Sequence, residues 1–505
     1  MHRLALAAAL LMPVAIDGQL FAGAVQAIPE ALVAQNKGSD KEKLGLDEID
    51  RLVNEAERAE KIGFYSKAIE LLEHSLKIQE DELGTDHSSS GTTLNKLANL
   101  YSEQGLYSKA EPLYVRALAI YLKEFGEEHS LTAIALYNLA VVYNHLGLYS
   151  KAESLLVRSL RTDEKILGLN HANIGDTLRW LGYTYFNQGF YDKAEPALLR
   201  ALTIAEKLFG VDHLSTGRCL HTLAMLYDAE GLFSKAETLY LRSLEISEKG
   251  LEQEHPDIAT TLDRLALLYF HQGLYSKAEP LYLRALEIRE KVYGGDHPTT
   301  AITINNLGLL YNEQGLYSKA EPLILRGLAI NEKELGPKHP EIAVNLNNLA
   351  HLYYLQGLHD KAESLLLRAH VVREESLGAD HLDTISGLNN LAVLYHEQGL
   401  NNKAEMLFLR VLVMREKTLG LEHAHTANTL NELVTVYIDQ GLYTKAEPLL
   451  RRGLEVQFQL IQRESPYLAL SERQSFVQSF GGAYKLPFSA ATPTVSGAKL
   501  AFFSR

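Results

Sequence analysis

Gly105-Leu106-Tyr107-Ser108-Lys109-Ala110-Glu111-Pro112 returns unchanged as Gly273 to Pro280 and again as Gly315 to Pro322. Near-copies fill the intervals. Their glycine stands at Gly63, Gly105, Gly147, Gly189, Gly231, Gly273, Gly315, Gly357, Gly399 and Gly441, with 42 residues from each to the next. Ten copies without an insertion or deletion mark an architecture that lengthens by stacking like units. This overrides the several-domain expectation that 505 residues would otherwise raise.

Within one unit the residues dictate two helices. Leu94, Leu97, Ala98 and Tyr101 recur at i, i+3, i+4 and i+7, which draws one apolar stripe along a first helix. Gly105 closes it, because glycine accepts the left-handed conformation common just past a helix end. A second helix starts near Ser108 and turns Ala110, Leu113, Tyr114, Ala117 and Leu118 inward. The small alanines present in every copy, from Ala68 to Ala446, let the two helices approach closely.

This spacing of Ala98, Tyr101, Gly105, Tyr107, Ala110, Tyr114 and Ala117 resembles the tetratricopeptide repeat (TPR). The usual repeat is ~34 residues. The 42-residue form, with Leu-Gly-x-x-His-Pro loops and Asn-Asn-Leu-Ala first helices, resembles that of kinesin light chains and covers about 420 residues here. The expected fold is all-α, an α-α superhelix (solenoid) of about ten 42-residue helix pairs over residues 45–464. The resemblance implies a non-enzymatic scaffold that holds a protein or peptide in a concave groove.

The ends depart from the repeat. Met1-His2-Arg3, the apolar run from Leu4 to Ile16 and the small residues up to Ala27 have the parts of a signal peptide, so residues 1–27 are expected to direct export to the periplasm or outside the cell. The run is too short and too interrupted for the ~20 apolar residues of a membrane span. Residues 28–44 read as a linker and 465–505 as a cap and loose tail, with Leu468 to Phe480 as one covering helix. In the first copy Glu55 stands where the next has Leu97, which suits an end that no earlier repeat covers. Ser471-Glu472-Arg473-Gln474 followed by Phe476 resembles the segment joining such repeats to a caspase-like CHAT protease, which implies an alternative role as a regulatory or sensory subunit of such a protease.

Composition narrows the chemistry. A net charge of -14 argues against sequence-independent nucleic-acid binding, which needs a basic face. Cys219 is the single cysteine, so no intrachain disulfide forms, and its place in a threonine row suits a small helix position better than a reactive thiol. His87, His129, His171, His213, His255, His297, His339, His381 and His423 keep the same period. Equivalent residues lie two packed helices apart, roughly 16–20 Å, so they form a row and not a metal cluster; ordering the loop before each first helix is their expected work. The row from Arg116 to Arg452 reads as ion pairs between helices. Neither a nucleophile nor a phosphate loop stands beside His145, Arg179 and Asp176, the best ionisable group, so no cofactor and no enzymatic activity are expected.

The irregular positions carry the binding reading. Two residues ahead of the core stripe is a rotation of roughly 200°, so a second stripe on each first helix points away from its own core. In TPR superhelices this face lines the groove. It carries Asn305, Asn306, Asn347, Asn348, Asn389 and Asn390, whose paired donors and acceptors suit a peptide backbone, as similarly placed asparagines do in kinesin light chains. Upstream it carries Tyr137, Asn138, Arg179, Trp180 and Tyr183, joined by Arg218 and Arg264. Exposed Trp, Tyr and Arg dominate binding energies, so an acidic partner with an aromatic or aliphatic anchor is expected.

Overall fold

The computed structural model describes residues 40–61 and 64–464; the expected signal peptide, covering helix, tail and protease-linked segment lie outside them. Twenty helices and no strand are found among the described residues, so the fold is an all-α solenoid. The first helices of the ten repeats are α1 (Asp40–Lys61), α3 (Ser88–Glu103), α5 (Ser130–His145), α7 (Ala172–Asn187), α9 (Leu214–Ala229), α11 (Pro256–His271), α13 (Pro298–Glu313), α15 (Pro340–Leu355), α17 (Leu382–Glu397) and α19 (Ala424–Asp439). The second helices are α2 (Tyr65–Leu83), α4 (Tyr107–Phe125), α6 (Tyr149–Leu167), α8 (Tyr191–Phe209), α10 (Phe233–Gly250), α12 (Tyr275–Tyr293), α14 (Tyr317–Leu335), α16 (His359–Leu377), α18 (Asn401–Leu419) and α20 (Tyr443–Glu464). α1 begins at Asp40, inside the stretch read as a linker, where Lys41, Glu42 and Lys43 are good helix formers.

The described residues form two compact units. The amino-terminal unit holds residues 40–226 and 242–251, and the carboxy-terminal unit holds 227–241 and 252–464. Within each, helices pack on their neighbours in chain order.

The repeated octapeptide is built from parts with separate jobs. In the carboxy-terminal unit Gly315 has φ +74°, its N–H donates to the Asn312 carbonyl at 2.9 Å, and the Leu316 N–H donates to the Tyr311 carbonyl at 2.8 Å. These two bonds make a Schellman motif, which satisfies the last carbonyls of α13 and reverses the chain into α14. Lys319 lies over the Tyr311 ring at 5.0 Å, a cation–π contact inside the repeat. The Tyr311 hydroxyl donates to Glu279 of the preceding repeat at 2.8 Å. Tyr269, Tyr353, Tyr395 and Tyr437 bond the corresponding Glu237, Glu321, Glu363 and Glu405. The lysine and glutamate of the octapeptide thus clamp the tyrosines of their own and the following repeat.

The histidine row closes the other loop. In all nine, Nδ1 accepts the backbone N–H two residues on, as His297 does from Thr299 at 3.2 Å, so each is the N-cap of a first helix. Arginines of the second helices pair with a glutamate one repeat back, at 2.7 Å for Arg200–Glu164 and 3.0 Å for Arg326–Glu290. The alanines are buried from Ala68 to Ala446 as close helix approach requires, and Glu55 at the uncovered end is exposed.

The Schellman turn sets a test. Gly315→Ala forces an L side chain into the left-handed region and should cost about 1–2 kcal/mol. Gly315→Asn should cost less, because asparagine tolerates that conformation. Urea denaturation of both variants should show this order; equal stability of the alanine variant and the parent would contradict the turn's role.

Candidate functional site

In repeats three to nine the first helices are buried over most of their residues, which decides where the candidate residues lie. Trp180 has no accessible surface, and Tyr137, Asn138, Arg179 and Tyr183 are buried with it. The expected exposure of this set is therefore corrected. A rotation of 200° carries a side chain away from its own core, but in the amino-terminal unit it meets the next first helix. Asn138 Nδ2 on α5 donates to Asn95 Oδ1 on α3 at 3.2 Å, and Thr184 on α7 donates to Asn144 on α5 at 2.9 Å.

Trp180 sits at the centre of an aromatic chain. Its ring meets His145 edge-on at 5.7 Å and Tyr183 at 5.6 Å, and His145 stacks on Tyr107 at 4.3 Å. The Arg179 guanidinium lies over Trp180 at 5.6 Å and approaches Asp176 at 3.8 Å. Burial pushes the His145 imidazole down to about 3, so it stays neutral between its two rings. Burial likewise lifts the Cys219 thiol to about 12, which leaves it un-ionised. Arg218 is half-buried in this unit. Arg264 is half-buried in the carboxy-terminal unit.

The asparagine pairs divide by position. The first of each pair is built into the packing of the carboxy-terminal unit. Asn345 donates to Asn305 Oδ1 at 3.3 Å and accepts from Asn331 at 2.8 Å. Turning the Asn347 amide so that its oxygen faces Arg373 gives bonds of 2.7 and 2.5 Å from the two guanidinium nitrogens. Arg415 donates to Asn389 at 3.5 Å, to Thr429 at 2.7 Å and to the His425 carbonyl at 3.0 Å. One repeat earlier the same position is Asp263, paired at 2.7 Å with a buried Arg289 that also donates to Thr303 at 2.8 Å.

The second of each pair differs. Asn306, Asn348 and Asn390 are buried, yet Asn348 Oδ1 and both amide atoms of Asn390 have no hydrogen-bond partner among the described residues. Ile302, Val344 and Ser386, one helical turn before them and on the same face, are half-buried.

Arg289, Arg373 and Arg415 were not singled out in the sequence. Their signal was available: each is a charge at an inward position where other copies carry Tyr121, Ala205 or Ser247. Burial lowers the Arg373 pKa and pulls that of Arg415 down to about 10. No group of three histidine, cysteine, aspartate or glutamate side chains close enough to hold a metal occurs among the described residues.

The tetratricopeptide repeat profile matches residues 52–123, 89–165, 173–249, 257–333, 317–375, 341–417 and 383–457. The chain belongs to the tetratricopeptide repeat family. Among solved structures, the chain is similar to a putative kinesin light chain of Podosopora anserina with nearly identical TPR-like repeats (27% identity, 41% of this chain and 98% of that one, TM-score 0.33). It is also similar to BtubC (BKLC) from P. vanneervenii (20% identity, 51% and 94%, TM-score 0.35). A Rap protein complexed with competence and sporulation factor shares the fold at TM-score 0.54, with 15% identity over 75% of this chain and 99% of that one. No curated protein matches the chain.

The buried histidines of these TPR units make stability depend on pH. Burial first, then the Arg415 and His423 charges, pushes His425 down to about 3. With a folded pKa below the unfolded ~6.5, its contribution is complete above pH ~6.5 and is lost as the pH falls toward the folded value. At pH 5 the loss reaches about 2 kcal/mol. Glu103 and Asp163, which burial raises to about 7 and about 6, shift stability the other way, so the whole-chain melt hides the effect. The stability gap between the parent and His425→Gln should therefore narrow by about 2 kcal/mol from pH 7.5 to pH 5. A gap that stays constant would contradict a neutral, half-buried imidazole.

Proposed function

We propose that the chain is a non-enzymatic scaffold that binds a protein or peptide along the inner face of its first helices. The observation that carries this reading is the orphaned amides of Asn348 and Asn390 beneath the half-buried Val344 and Ser386. A buried amide without a partner costs about 1–3 kcal/mol. A peptide backbone laid over Ile302, Val344 and Ser386 offers both the donor and the acceptor that these side chains lack, at the cost of a side-chain rotation. Packing on both sides holds the first helices rigid, so little ordering cost falls on the scaffold.

The partner segment is acidic in this reading, because Arg264, in the same unit as these asparagines, is a half-buried cation able to form charge-assisted bonds to carboxylates. Trp180 supports the face from behind and does not touch the partner. The amino-terminal features read as a signal peptide support a scaffold that works outside the cytoplasm; the alternative is a cytoplasmic one.

Replacing Asn306, Asn348 and Asn390 together by alanine should weaken a peptide partner recovered by pull-down by roughly 1–3 kcal/mol, at ~0.5–1.5 kcal/mol per net bond. Thermal stability should hold. Asn347→Ala should do the opposite, leaving the Arg373 guanidinium without its acceptor and lowering stability by about 1–3 kcal/mol. Calorimetric titration and thermal melts separate the two. A large stability loss in the triple variant with unchanged binding would assign these asparagines to packing alone.

A further inference from the structure

The outward face of the second helices changes character at repeats eight and nine. Most copies carry one exposed aliphatic residue there, such as Leu283 and Leu325, and a single exposed leucine is ordinary. On α18 the residue three before it is Met406, 63% exposed, where five copies have proline. The residue four after it is Val413, 64% exposed, and its α16 equivalent is Val371; α12 has Glu287 there. Met406, Leu409 and Val413 stand at i, i+3 and i+7, on one face of α18. The apolar face stops at α20, where the corresponding residues are Arg451 and Glu455.

A second observation falls at the same place. Arg116, Arg200, Arg326, Arg368 and Arg452 each pair with the glutamate 36 residues earlier. Arg410 makes no ion pair among the described residues. Its counterpart Glu374 lies 3.7 Å from His370, four residues back on α16, and His370 replaces the leucine found at Leu286, Leu328 and Leu412. The exposed guanidinium instead lines an open cleft of about 480 Å³ with Leu409, Val413, Met414, Ala379 and Asp380.

We propose that this face of α16 and α18 is a second docking surface, for a protein segment that sets aliphatic or aromatic side chains against Met406, Leu409 and Val413 and a carboxylate against Arg410. Contiguous exposed apolar surface with a polar rim marks an interaction site. Charge complementarity selects the carboxylate: an arginine with no internal acceptor beside apolar walls gains most from an anionic partner. Leu367 and Val371, both exposed, continue the apolar face onto α16. The surface is on second helices and does not depend on the asparagine reading.

The test uses the full chain and a phage-displayed library of random peptides as the probe, with oleate as a separate ligand. Recovered peptides should combine apolar residues with Asp or Glu. Their affinity should fall at least ~10-fold in Val413→Glu and in Arg410→Glu. It should be unchanged in Leu283→Glu and in the variant lacking Asn348 and Asn390. Melting curves verify that these surface variants fold. Recovery of no peptide, or of peptides indifferent to Val413→Glu and Arg410→Glu, overturns the proposal. Oleate binding lost in the same two variants, without peptide binding, would make the site one for a lipid. Self-association abolished by Val413→Glu would make the occupant a second copy; either result also overturns it.

Discussion

The structure depends on one constraint: in repeats three to nine the first helix is buried over most of its residues, so whatever polar group it carries has to be satisfied from within. α5 buries 14 of its 16 residues, whereas α6 buries five of 19. A helix in that position cannot show its polar residues to water, and an unpartnered buried group costs more than a hydrogen bond returns. Hence the buried threonines that donate back to carbonyls, Asn138 bonded to Asn95, and Asp263 held by Arg289. Removing one member of such a pair strands the other, which is why breaking it is costlier than its net worth suggests.

The same constraint separates scaffold from function. The first asparagine of each pair is consumed by an arginine or a neighbouring asparagine, whereas Asn348 and Asn390, second in their pairs, keep unpaired amide atoms beside half-buried residues. Second helices bury only an inward stripe, so their outer residues are free to vary without loss of fold. That freedom is what allows Met406, Val413 and an unpaired Arg410 to gather on α18.

The period, the helix pairs, the close-packed alanines, the histidine caps and the arginine pairs were legible in the sequence because each follows from a residue repeated at one place in a fixed unit. The burial of Trp180, Tyr137 and Tyr183 was not. Helical rotation tells which side chains leave their own core; it does not tell how tightly the next first helix covers them. The asparagine pairs were legible as a pair, but their division needed Arg373 and Arg415, which reach them from second helices. A positive charge at an inward position that other copies fill with Tyr121, Ala205 or Ser247 was the signal for those arginines, and it is less conspicuous than the regular row.

Hydrogen exchange followed by mass spectrometry tests the buried spine most directly. Amides of α11, α13 and α15 should exchange more slowly than those of α12, α14 and α16 that flank them, giving protection that alternates once per repeat. Equal protection along both helices of each repeat, or faster exchange in the first helices, would contradict the account.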